Sequence, residues 1–469
     1  MLINQSPINR YFNPLFYKKT YNLNNYTDKN LYNHYINIGS KLNYNPSLYF
    51  DTKWYRDKYS INDITNPLLH FQQNTDKGFL PNEKCDVLIH TGINKMPWIN
   101  ITGEFIPIIT EKRRINIILP GAGLSAGPQT LYAFANLLAT KGLNIRIIIM
   151  YQSIDRQTYI KAIKERMDFH DSIEIVSHYK NDIIISFDDI FVVSAWWTIY
   201  PLKFILNYLN NKKFFWFIQE MELIFHKGDE IYSKALECYN MDYYSFVHCS
   251  ILLDFLEETK FMCFKNKEYI QNNVVCFEPN IDNRLFYCQE KSNEKTIILF
   301  YSRDSAPRNL SSVIIELLIN SIKNGIIDRT CEIIGFGGSK SGKFILTNNY
   351  YYTEVGFLNL EDYSKLMRSA HIVINFVLSP HTGLIPLEIA SCGGMCIHNK
   401  YFTKNEESIK KYTDKILISE PNQIDLMRNL KTAIYLMKNN LISNEPPKLI
   451  RNNFNQTLEP CYDFLIENI

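Results

Sequence analysis

The chain carries almost no net charge, 50 Lys and Arg against 48 Asp and Glu for a formal +2. Without a basic excess there is no electrostatic footprint for a nucleic-acid groove, and no acidic tail stands out either. Its 10 cysteines are scattered, with no Cys-x-x-Cys pair and no metal-ligand spacing, which points to reduced thiols in a cytosolic setting. Asp-x-Asp is missing as well, so no metal-bound nucleotide is expected. The opening MLINQSPINRYFNP lacks a basic-then-apolar leader pattern, and no apolar run approaches the roughly 18 residues of a membrane span. Secretion and a spanning helix are therefore not expected. With 31 Tyr and 29 Phe, an adhesive surface in peripheral contact with a membrane stays open.

What is present is a chain of 469 residues, 46% hydrophobic, enough for two or three cores. Residues 1–92 are rich in Tyr and Asn and contain an imperfect repeat. Phe16-Tyr17 and Tyr21 recur as Trp54-Tyr55 and Tyr59, Asn33-His34-Tyr35 as Leu69-His70-Phe71, and Asn45-Pro46 loosely as Leu80-Pro81. The spacing suits a pair of short helices per copy, stacked on each other and on the domain that follows. This region is either a structural decoration or a surface that positions an acceptor or partner.

From Arg114 buried-strand runs alternate with helical segments. Strands are expected at 115–120, 144–149, 183–187, 190–195, 214–218, 244–248 and 273–277. A second series is expected at 296–301, 331–336, 354–358, 371–376, 395–398 and 415–419. Such alternation predicts mostly parallel sheets covered on both faces. The expected architecture is α/β: a Rossmann-like domain over 93–285 and a second Rossmann-like one over 286–440. A tail, 441–469, lies back on the first. Two doubly wound domains facing a cleft would bind ligands outside the carboxyl ends of their strands.

Several constellations fall at those ends. The turn Gly121-Ala122-Gly123-Leu124-Ser125-Ala126-Gly127-Pro128 joins a strand to a helix, either as a phosphate-facing loop carried by Gly123, Ser125 and Gly127 or as a plain tight turn. Arg303 and Arg308 follow the strand at 296–301 and read as a diphosphate clamp or as solvated surface charge. Gly335 and Gly337 bring a permissive backbone to the same edge. Gly337 to Lys343 mimics the start of a P-loop, but Phe344 stands where Ser or Thr is required; 339–344 reads as a basic surface loop. In FVLSPHTGLIPLEIASCGG, residues 376–394, Pro386 marks the first turn of a short helix. That leaves the N–H groups of Gly383, Leu384 and Ile385 open to a ligand. Glu388 lies one turn in, among apolar neighbours, and needs a polar partner such as a ribose diol or an Arg. His381 is a surface residue or a sugar-phosphate contact, and Thr382 sits beside it. Asp188-Asp189, Trp196-Trp197, Gln219-Glu220-Met221-Glu222 and His248 also fall at strand ends, without a recognisable catalytic pair.

In this order SAWWT, FIQE, YSRDSAPRN and SPHTGLIPLEIASCGG resemble the retaining glycosyltransferases of family 4. They are most similar to the bacterial polysaccharide rhamnosyltransferase subgroup, over roughly residues 114–440. The resemblance implies the GT-B fold, with the repeat-containing, mostly helical region in front. It implies a nucleotide-sugar donor, dTDP-L-rhamnose in the subgroup, and a glycan or lipid-linked glycan acceptor. No cofactor or metal is implied, and the place of action is the cytoplasm or the cytoplasmic face of the membrane. Arg303 and Arg308 match the pair that neutralises the diphosphate. Glu388 matches the second glutamate of an E-x7-E motif, which grips the ribose. Gly123, Ser125 and Gly127 match the first-domain loop; Gly335, Gly337, His381, Thr382, Gly383 and Leu384 line the donor side. Pro380 stands where the first glutamate belongs, which argues against glucose-like donors and is compatible with a deoxysugar. Two other readings stay open: a non-catalytic carbohydrate- or nucleotide-sugar-binding protein, and a nucleotide-sugar epimerase. Oligomeric state is not legible.

Overall fold

The computed structural model describes residues 11–47, 49–74, 79–82, 105–108, 112–179, 181–203, 205–291 and 294–469. The boundary expected at 92/93 lies outside these. Each copy of the N-terminal repeat is a pair of short helices: Pro14–Thr20 with Asp28–His34, then Thr52–Lys58 with Pro67–Gln73. The correspondence extends to single atoms. Asn13 and Asp51 cap their helices, accepting from Phe16 N and Trp54 N at 2.9 Å. Tyr17 Oη meets His34 Nδ1 at 2.9 Å, and Tyr55 Oη meets His70 Nδ1 at 2.9 Å. Tyr21 Oη accepts from Asn45 N (2.6 Å) as Tyr59 Oη accepts from Leu80 N (2.8 Å). The Pro46 and Pro81 carbonyls each accept from the preceding cap residue's N–H. Tyr17, Leu31, Tyr35, Phe50, Tyr55, Leu68 and Phe71 share one core, so two copies, each too small to bury its apolar face alone, do so together.

Strand β1 (Phe105–Ile108) pairs with β5 (Ile183–Ser186) in a separate two-stranded ribbon. The segment 183–187, expected in the main sheet, therefore lies outside it; Ile184 is exposed, unlike the wholly buried strands. The first main sheet contains β2 (Ile115–Leu119), β3 (Ile145–Ile149), β4 (Glu174–Ser177), β6 (Ile190–Val193), β7 (Phe214–Ile218), β8 (Tyr243–His248) and β9 (Val274–Phe277). Its order is β4-β3-β2-β6-β7-β8-β9. Asn116 and Arg146 face each other across β2 and β3. Arg146 Nε donates to Asn116 Oδ1 (2.7 Å), and Asp189 closes the network 3.3 Å from Arg146 Nη2. Asp189 is thus a buried counterion, and Asp188 accepts from Asn210.

The second sheet contains β10 (Thr296–Tyr301), β11 (Cys331–Phe336), β12 (Gly342–Thr347), β13 (Tyr350–Glu354), β14 (Ile372–Asn375), β15 (Met395–Asn399) and β16 (Ile416–Ser419). Its order is β12-β13-β11-β10-β14-β15-β16, and only β12 runs antiparallel. Two expectations are corrected here. The strand placed at 354–358 occupies 350–354, because the chain turns away at Gly356, whose φ is +71°. The loop placed at 339–344 becomes from Gly342 one arm of a hairpin, with Phe344 stacked on Tyr352. Helices Ser311–Lys323 and Gln423–Lys438 join β10, β14 and β15 in one core.

Contacts group the chain into two compact units. One comprises 1–125, 138–193 and 197–214; the other comprises 126–137, 194–196 and 215–469. The boundary expected at 285/286 falls inside the second. There the tail helix Phe454–Glu467 packs on β8 and β9, with Phe464 edge-on to Tyr244 and Phe246.

Candidate active site at the strand ends of the second unit

In the second sheet the order reverses between β10 and β14, the kind of switch point where open α/β sheets bind ligands. The loops leaving these strands, 302–310 and 376–384, are stitched together by Leu378 N donating to the Arg308 carbonyl at 2.9 Å. Ser302 turns the first loop by donating both N and Oγ to the Phe336 carbonyl. The loop then carries Arg303 and Arg308 along the strand end. The Arg308 guanidinium lies 4.1 Å over the Phe225 ring. Burial pushes its pKa down, Glu220 opposes this, and Arg303 adds to it as a like charge. Arg303 Nε is buried without a partner. Among the described residues neither guanidinium forms an ion pair. Two neighbouring cations, partly desolvated and without an ion-pair partner among the described residues, form a site that an anion relieves.

The second loop is held from several sides. Lys404 Nζ donates to the Val377 carbonyl at 2.8 Å, and Val377 N donates to Asn399 Oδ1 at 2.7 Å. Ser379 Oγ donates to Glu220 at the end of β7, and His381 N donates back to Ser379 Oγ at 3.1 Å. His381 Nδ1 accepts from Gly383 N at 2.8 Å, while Nε2 meets His248 Nδ1, the last residue of β8, at 2.7 Å. The Gly383 N–H, expected to be open to a ligand, is therefore spent inside the turn. The turn needs Gly there, at φ +72°. His381 is buried, not a surface residue, and Thr382 is fully buried.

Leu384 leads into the helix Ile385–Ser391 with Pro386 in its first turn. Glu388 is buried, and its partner is Tyr363, whose Oη donates to Oε2 at 2.5 Å. Burial pushes the Glu388 carboxyl up from the ordinary 4.5 to about 7, against the opposing effect of the Tyr363 bond. The Tyr363 ring lies 5.8 Å from Phe336, which lies 5.4 Å from Tyr301 at the head of the arginine loop. An aromatic bridge thus runs from one loop to the other, and among the described residues no hydrogen bond or ion pair joins Glu388 to Arg303 or Arg308.

The glycines of this edge have internal reasons to be glycine. A Cβ on Gly335 would lie 2.3 Å from Glu354 Oε2, and one on Gly337 would lie 2.6 Å from the Tyr301 ring. Glu354 in turn accepts from Gly356 N at 3.0 Å. In the turn after β2, which carries Gly123 and Ser125, Ala122 N donates to Gln152 at 3.2 Å and the Leu124 carbonyl accepts from Arg166 at 2.8 Å. Gly127 opens the helix Ala126–Thr140, where its carbonyl accepts from Gln219 Nε2 at 3.2 Å. Trp196 is wholly buried, as a core residue would be.

Three further groups reach the site. Glu220 feels the charges of both Arg308 and Lys404. Burial raises its pKa, and Ser379, Met221 N and the two cations work against that rise. Lys404 is fully buried and lowered to about 7 by burial, with Glu220 opposing. Tyr363 is a helical residue far from Glu388 in sequence. Only Glu220 was discernible, as a polar group closing the strand FFWFI.

Comparisons with known proteins bear on the fold. Residues 296–431 match the family model described as "WsaF, C-terminal domain". The O-antigen biosynthesis protein RfbC of Myxococcus xanthus is 20% identical over 313 residues, covering 66% of this chain. The chain spans 23% of that relative's length. A crystal structure of S. aureus TarM with fondaparinux, α-GlcNAc-glycerol and UDP superposes with a TM-score of 0.51 at 10% identity, over 75% of this chain and 99% of that one. A second TarM structure gives 0.51 at 8% identity, over 77% and 96%. The fold is GT-B-like, two Rossmann-like α/β domains with parallel sheets and a helical N-terminal region. Among the described residues no helix is long and apolar enough to cross a membrane.

Proposed function

We propose that this chain, built on the GT-B fold, is a glycosyltransferase of surface-polysaccharide assembly. It takes a sugar from a nucleotide-diphosphate donor and places it on a hydroxyl of a growing glycan or lipid-linked glycan at the cytoplasmic face of the membrane. The donor is dTDP-L-rhamnose, and transfer proceeds with retention. The observation that supports this most is the pair of guanidiniums, without ion-pair partners among the described residues, at the switch point of the second sheet. Breaking the anomeric C–O bond develops charge on the departing diphosphate, and fixed cations stabilise charge where it grows. Arg303 and Arg308 supply those cations, and Phe225 beneath Arg308 keeps its plane in place. Glu388, buried and steadied by Tyr363, accepts from the ribose hydroxyls. With Pro380 in the turn, the carboxylate nearest the sugar comes from Glu220 on the neighbouring strand end, through Ser379. The leaving phosphate itself assists deprotonation of the acceptor hydroxyl, so no separate base is required.

The test is a thermal-shift screen of nucleotide sugars followed by calorimetry and product analysis. A ligand at one hundred times its Kd stabilises the folded state by about 2.7 kcal/mol. A response to dTDP-L-rhamnose that is lost in the R303A and R308A chains, with a β-linked product from the β-linked donor, supports the reading. Undiminished donor binding and transfer in both variants refutes it.

A further inference from the structure

Two imidazoles meet in the second unit, with ring centroids 4.6 Å apart and planes at 36°. His248 ends β8 and His381 lies in the turn after β14, and both are buried. Their hydrogen bonds leave one arrangement of protons. The Gly383 N–H can only donate, so His381 Nδ1 must accept, at 2.8 Å. A neutral imidazole with Nδ1 accepting carries its proton on Nε2. That proton lies on the 2.7 Å bond to His248 Nδ1, which must then accept in turn. His248 is left with its own proton on Nε2, for which no partner is seen among the described residues.

We infer that His381 is a positioning residue that fixes the proton of His248 on Nε2, making His248 a hydrogen-bond donor and not a base toward an oxygen bound in the site. The link runs backbone N–H to imidazole to imidazole, and each step depends on the one before. Adding a proton at either Nδ1 puts two hydrogens on one bond and breaks it. The surroundings oppose that proton. Burial holds both imidazoles below their ordinary value, His381 at about 4, and the Lys404 ammonium adds to the effect on His381. His398 on β15 also faces His381, and the Phe277 ring of β9 covers His248 at 5.0 Å. Groups held below their unfolded value favour the neutral pair, so the stability it contributes is full above about pH 6.5 and is lost as the pH falls through the folded value, about 4 for His381. The inference rests on the transferase reading only for the identity of the bound oxygen.

Ring-nitrogen NMR of the full chain labelled with 15N-histidine tests it without any sugar donor, with H248Q and H381N used for assignment. Above pH 7 both histidines are expected as the neutral Nε2–H form. In H381N the shorter side chain still accepts from Gly383 N–H as an Asx turn but cannot reach His248. The Nδ1–H form of His248 should then appear, and its titration midpoint should rise toward about 6.5. A proton on His248 Nδ1 in the unsubstituted chain overturns the inference, as does an unchanged His248 tautomer in H381N. If H381N does not fold, the spectrum of the unsubstituted chain decides alone. The expected tautomers in a chain that transfers no sugar would refute the transferase reading and leave the relay standing.

Discussion

Replacing Glu388 with Gln should make the protein more stable in mild alkali while weakening its grip on a donor. The carboxyl is buried and its pKa is raised from 4.5 to about 7. An acid whose folded value lies above its unfolded one contributes stability fully below the unfolded value and loses it as the pH rises through the folded one. At about 1.4 kcal/mol for each tenfold change in proton affinity, ionising Glu388 costs the fold about 3 kcal/mol by pH 8. An amide has nearly the same shape, still accepts from Tyr363 and never ionises. E388Q should therefore match the parent near pH 5 and exceed it by up to about 3 kcal/mol at pH 8, a Tm difference on the order of several degrees. Calorimetric melting at both pH values, with the same salt, is the assay. Donor affinity measured alongside should fall, since the amide cannot offer two acceptor oxygens to a diol. An E388Q difference that is the same at pH 5 and pH 8 would refute the reasoning, because it would mean that the carboxyl does not titrate in that window.

R303A and R308A should each weaken binding of a dTDP-sugar by roughly 10- to 150-fold in calorimetry, the loss of a charge-assisted contact of about 1.5–3 kcal/mol; parental affinity in both variants would remove the clamp. Y17F and Y55F should each destabilise by about 1 kcal/mol in urea unfolding, and by like amounts, because the two hydroxyls meet their histidines at the same 2.9 Å. A silent substitution in one copy would break the equivalence of the repeats. G335A should lower stability by about 1–3 kcal/mol whether or not donor is present, because the added methyl meets Glu354 at 2.3 Å; a variant that melts normally and loses only donor binding would make Gly335 a ligand contact instead.

Much of the scaffold was legible from the order of residues alone. Runs such as Ile115–Leu119 and Phe214–Ile218 are buried at every position, so they show as strongly apolar stretches, broken in the first only by Asn116, and their alternation with helical segments implies a parallel sheet. The N-terminal repeat was equally open to reading, since Tyr17 with His34 and Tyr55 with His70 are local pairs that recur in step. The hairpin Gly342–Glu354 was not: its first arm is exposed through Ile345, so the alternation that marks a half-buried strand is absent. Arg303, Arg308 and Glu388 stood out because charge at the end of an apolar run is locally anomalous.

Their partners were beyond the reach of sequence. Glu220 and Ser379 are separated by 159 residues, His248 and His381 by 133, and Tyr363 from Glu388 by 25. Local pattern reports which residues are buried and in what element, because burial leaves a period. Which strand end lies beside which, and so whether a histidine accepts or donates and whether a carboxylate keeps its proton at neutral pH, depends on neighbours brought together by the sheet order. Proton affinity is set by those neighbours and by the water they exclude, and only tertiary structure supplies them.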